Sequence, residues 1–106
     1  MTITITHTEL LTDRIQQLMD ALMSWHKARY THFERNYSLV EGKKYYKLIE
    51  ESSGVHAFID KATGGLYKPA SFRAPAKYVR YQLLDDASFQ DCLTKADCHG
   101  GYLYIR

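Results

Sequence analysis

The residues best suited to chemistry lie between Lys61 and Leu84. This stretch holds five cations (Lys61, Lys68, Arg73, Lys77, Arg80) and no carboxylate. Tyr67, Phe72, Tyr78 and Tyr81 are interleaved with them. Cations neutralise phosphates, and exposed rings stack on unpaired bases, so the pattern suits nucleic acid or another anionic partner. Lys68, Phe72, Arg73, Lys77, Tyr78 and Arg80 are the candidate contact residues. Lys43, Lys44, Tyr45, Tyr46 and Lys47 extend the patch. The competing reading is a half-buried strand with its rings inside and its ammoniums outside. The pieces Lys68-Pro-Ala-Ser71 and Ala74-Pro-Ala-Lys77 can frame an anion site, but a tight loop fixed by proline is the favoured reading. The chain has no G-x-x-x-x-G-K-[ST] and no G-x-G-x-x-G.

Other reactive types are scattered. Cys92, Cys98 and His99 do not match a recurrent zinc spacing, and a fourth ligand would have to come from far away. Cys92 falls on an apolar helical stripe, where a free cysteine acts as a small hydrophobe. His26 and His32, six residues apart, do not share a helix face. His56 and Asp60 alternate onto one strand face, with Ser52, Ser53 and Ser71 near in sequence, but nothing fixes them together. We expect no enzyme, no metal and no cofactor.

The elements that position these residues follow from periodicity. Residues 2–6, Thr-Ile-Thr-Ile-Thr, alternate as a short strand. Thr6 and Glu9 have capping-box spacing, with Ile5 and Leu10 as the staple around it. From His7 to about Asn36 there is neither Gly nor Pro. Leu11, Ile15, Leu18, Leu22 and Trp25 form one apolar row; Met19, Met23, His26, Tyr30, Phe33 and Tyr37 form a second. Thirty helical residues would reach roughly 45 Å. That exceeds a compact domain of this size, so the helix either breaks near Arg29–His32 or packs on a second copy. We expect the latter, with Leu11, Ile15, Leu18, Leu22 and Trp25 as a homo-oligomer interface, a dimer being favoured.

Strands are expected at 44–50, 55–60, 66–68, 78–84 and 102–105, with a glycine-closed hairpin loop at 61–65. Asp85-Asp86 caps a short helix bearing Phe89, Cys92, Leu93 and Ala96. The order β-α-β-β-β-β-α-β implies an α+β fold. Its mainly antiparallel sheet has five to six short strands, one long N-terminal helix and one short C-terminal helix.

Composition bounds the rest. The 106 residues make one domain, with residues 1–40 as strand plus long helix and 41–106 as the sheet region. Net charge is +2, which excludes an acidic nucleic-acid mimic and a polybasic tail. No apolar run is long enough to span a bilayer, and the start lacks signal-peptide character, so no membrane association is expected.

Residues 58–77, FIDKATGGLYKPASFRAPAK, resemble a group of small uncharacterised proteins of tailed phages, especially phages of cyanobacteria. Their shared pattern is F-[IV]-D-x-x-T-G-x-[IVL]-[YL]-K-x-A-[ST]-[WYF]-[RK]-[AS]-P-A-K. Gly42-Lys-Lys-Tyr-Tyr-Lys47, Arg80-Tyr-Gln-Leu-Leu-Asp85 and Gly100-Gly-Tyr-Leu-Tyr104 are also similar, so the resemblance covers residues 41–106. The chain departs from it at Phe72, where Trp is common, and at Cys98-His99. The resemblance implies a phage origin and work in the host cytoplasm, and no mechanism. The expected function is a non-enzymatic binding protein that modulates a host protein during infection. The alternatives are a nucleic-acid-binding protein using the basic-aromatic surface and a self-assembling structural protein.

Overall fold

The computed structural model describes residues 6–29, 36–51, 54–96 and 101–103. Helix α1 runs from His7 to Arg29. Among the described residues five strands follow: β1 (Tyr37–Glu41), β2 (Tyr45–Glu50), β3 (Gly54–Asp60), β4 (Gly65–Tyr67) and β5 (Tyr81–Gln82). Helix α2 spans Asp86–Lys95, and a 3-10 turn covers Gly101–Leu103. The strands form one antiparallel meander, β1-β2-β3-β4-β5. The fold is the α+β class expected from the periodicity.

Local chemistry sets the element ends. Thr6 Oγ1 accepts from Glu9 N at 3.1 Å and caps α1. Asp85 does the same for α2, accepting from Ser88 N at 2.9 Å. In the turn between β3 and β4, the Asp60 carboxylate accepts from Ala62 N and Thr63 N at 2.8 and 3.1 Å. Gly64 closes that turn at φ +77°, and a Cβ there would stand 2.7 Å from Leu84 Cγ, so only glycine fits.

The core lies between α1 and one face of the sheet. Leu11, Ile15, Leu18 and Leu22, with Met19, are buried against Tyr46, Leu48, Ala57, Ile59 and Leu66. Phe89 and Cys92 of α2, with Leu83 and Leu103, close one end. Full burial of each large aliphatic side chain contributes roughly 1.5–3 kcal/mol. Arg14 joins the two helices by donating to Leu83 O at 2.7 Å, pairing with Asp86, and lying over the Phe89 ring at 4.9 Å.

This packing corrects the role expected for the helix stripe. Leu11, Ile15, Leu18 and Leu22 are spent on the chain's own sheet, so they are not available as an oligomer interface. Trp25, the fifth expected interface residue, is half-buried. The apolar period marks a covered face, and its cover is the inner sheet face rather than a second copy.

Three strand expectations also change. Strand β1 lies where Tyr37 had been placed in the helical row, and Leu39 joins it in packing on the core. The strand expected over 78–84 shrinks to Tyr81–Gln82, because Tyr78 adopts φ +71°, outside the extended region. The strand expected from Tyr102 begins instead in a 3-10 turn, with Tyr102 and Leu103 buried. Residues 2–5 of the expected strand, the helix continuation through 30–35, and Cys98 and His99 lie outside the described residues.

Candidate binding surface

Alternation along β2, β3 and β4 puts a second set of side chains on the face away from α1. Tyr45 and Lys47 come from β2, Phe58 from β3 and Tyr67 from β4; Lys47 lies opposite Phe58, and Phe58 opposite Tyr67, in register. The Tyr45 ring meets Phe58 at 5.8 Å and Tyr67 at 6.2 Å, both edge to face. Phe58 is 1% exposed although it stands apart from the main core.

The segment after β4 folds as a pinned loop. Pro69 and Pro75 form a bridge. Ala70 N and Ser71 N both donate to Ala74 O, at 3.0 and 3.1 Å, and Ala76 N donates to Lys68 O at 2.7 Å. Two prolines of fixed φ hold the stem, so the tip residues are presented rather than collapsed. Phe72 at the tip is 62% exposed, and Arg73 beside it is exposed. The Lys47 ammonium lies over the Phe72 ring at 4.5 Å and over Phe58 at 5.7 Å, joining loop to sheet. Lys44 lies over Tyr45 at 5.3 Å.

The six candidate residues separate into three groups. Phe72, Arg73, Lys77 and Tyr78 are exposed, Tyr78 to 73%. Lys68 is half-buried. Arg80 turns inward: its Nε donates to Leu103 O at 2.8 Å, and one terminal nitrogen donates to the carbonyls of Lys77 and Tyr78. Arg80 therefore holds the loop rather than offering its donors to a partner. Lys61 is committed too, pairing with Glu41 at 2.7 Å and donating to Gly42 O at 3.1 Å. Half-buried Lys47, Tyr45 and Tyr67 border the loop instead, over a buried Phe58. Their period-two spacing was visible in the sequence, but which face α1 would cover was not.

Other reactive groups lie away from this loop. Cys92 is buried, and its thiol is pushed up to about 12 by burial first and by the charge of Asp91 second, so it stays protonated at neutral pH. His56 meets the Tyr102 hydroxyl through Nε2 at 2.7 Å, and its ring lies edge to face with Tyr37. The register shift between Leu48 and Ile49 makes a bulge at His56, while the Asp60 carboxylate serves the β3–β4 turn. The expected sharing of one face by His56 and Asp60 does not produce an acid–base pair. Among the described residues, no group of three or more His, Cys, Asp or Glu could hold a metal ion. No described helix is long and apolar enough to cross a membrane.

No curated protein and no solved structure matches the chain. A family's sequence model does, over residues 2–105, taking in α1 and the sheet together, and the chain belongs to that family, a family of unknown function (DUF7717).

Proposed function

We propose that this chain is a non-enzymatic binding protein that takes up single-stranded nucleic acid on the outer face of its sheet. The observation that carries the reading is one pinned loop presenting exposed Phe72 and Tyr78 together with exposed Arg73 and Lys77. That loop lies in a 24-residue stretch, 61–84, without a carboxylate. Rings of this kind stack on unpaired bases while the cations meet the phosphates between them. Lys47 supplies further charge where the loop meets the sheet.

The test is fluorescence anisotropy of a labelled oligothymidylate titrated with the protein across a salt series. Three cations, Lys47, Arg73 and Lys77, give an expected slope of log K against log salt of about −2. Tight binding without salt dependence, or no binding at low salt, would overturn the reading.

A host-protein partner is the second reading. It rests on the resemblance of residues 41–106 to small phage proteins, which supports a phage origin and a workplace in the host cytoplasm. Strand β1 at the end of the sheet order favours it, with Val40 47% exposed. A partner retained through nuclease treatment and moderate salt would select this reading. A self-assembling role, as a dimer or larger, would need a surface other than the buried row of α1.

A further inference from the structure

We infer that the groove beside Phe72 seats one unstacked base of the bound strand, a step that rests on the nucleic-acid reading above. The groove is open, with a volume of about 300 Å³, and is lined by Gly54, Val55, Pro69, Ala70, Ser71 and Phe72. That volume is at the small end of ligand sites, suited to one flat ring system rather than an extended ligand. Its walls are shallow and mix apolar with polar surface. Phe72 and Pro69 supply rings, Ala70 and Ser71 are small, and Gly54 takes φ +108° with open space where a Cβ would stand.

Charge selects the occupant. The Lys47 ammonium lies 4.5 Å from the Phe72 ring centroid, and Arg73 follows Phe72 in the chain with its side chain exposed. An uncharged apolar side chain in this groove would leave both cations unmatched. A nucleotide fills it with the base and brings its own phosphate to the rim. Ser71 adds a polar handle: its Oγ accepts from Arg73 N at 3.2 Å, leaving the hydroxyl proton to donate to a base edge.

The experiment compares a labelled oligothymidylate with an all-abasic oligomer of the same length, which keeps the phosphates and removes the bases. Wild type binds the thymidylate roughly tenfold more tightly than the abasic strand. Ala70→Leu fills the groove at an exposed position and lowers that ratio several-fold without changing the salt slope, the remainder coming from stacking on Tyr78. Phe72→Ala, also exposed, lowers the ratio by removing the stacking wall. Circular dichroism confirms that both variants fold. If both keep the full base preference while Arg73→Glu with Lys77→Glu abolishes binding, the groove assignment is overturned and the surface reading stands. If neither strand binds wild type at low salt, both fall. Preference for an acidic aromatic peptide over any oligonucleotide also overturns the assignment.

Discussion

Leu18→Asp is expected to unfold the chain. Leu18 is fully buried between α1 and the inner sheet face, with Ile15 and Leu22 on either side along the row. Removing its branched methyls costs about 2–5 kcal/mol, and an uncompensated carboxylate in the same place adds several more. A domain of this size has only about 5–15 kcal/mol in total. The loss is therefore comparable to the whole stability, and the result is a chain without a cooperative melt. Far-UV circular dichroism beside light scattering reads it: helical signal falls, and any scattering reflects aggregation of unfolded chains. A variant that keeps its helical signal while its mass drops would mean the row is an interface between copies and that its burial on the sheet is wrong.

The second large effect is loss of binding without loss of fold. Arg73→Glu combined with Lys77→Glu removes two cations from the loop and puts two carboxylates where the stretch 61–84 has none. Both side chains are exposed, so the substitutions cost little stability. Each lost phosphate contact also forfeits the counterions it would have released, and each new carboxylate repels the strand. Affinity for single-stranded nucleic acid is expected to fall roughly a hundredfold at low salt, with a shallower salt slope. Anisotropy measures the affinity, and an unchanged thermal melt shows that the fold survives. Binding within a few-fold of wild type would remove this loop from the contact surface.

Much of the scaffold could be read from residue types, because the signals were local. The Thr6 cap, the Asp85 cap and the left-handed Gly64 each depend on neighbours within a few positions. The apolar row of α1 was equally plain. A period of 3.6 shows that a face is covered, however, and not what covers it, so the row was assigned to a second copy when it meets Leu48, Ala57 and Ile59. Strand β1 was hidden because Tyr37 also fits the helical row, and the sheet decides between the two.

The surface was legible in composition and not in direction. Arg80 has the same type and spacing as its cationic neighbours, yet its donors go to the carbonyls of Lys77, Tyr78 and Leu103. Nothing local predicts that, because Leu103 is 23 residues away in sequence. Tyr78 reads as one step of an alternating strand, but its positive φ breaks the ladder and leaves the ring in solvent. Conversely, Lys47 sat only at the margin of the patch until the loop brought Phe72 beneath its ammonium.

The most direct test of the central claim is a ¹⁵N-HSQC titration of the uniformly labelled protein with unlabelled oligothymidylate. The account predicts saturable shifts at Lys47, Val55 and the amides from Ser71 to Tyr78 outside Pro75, with α1 quiet from Leu11 to Leu22. Shifts confined to the helices, or none at an oligonucleotide excess in low salt, would contradict it.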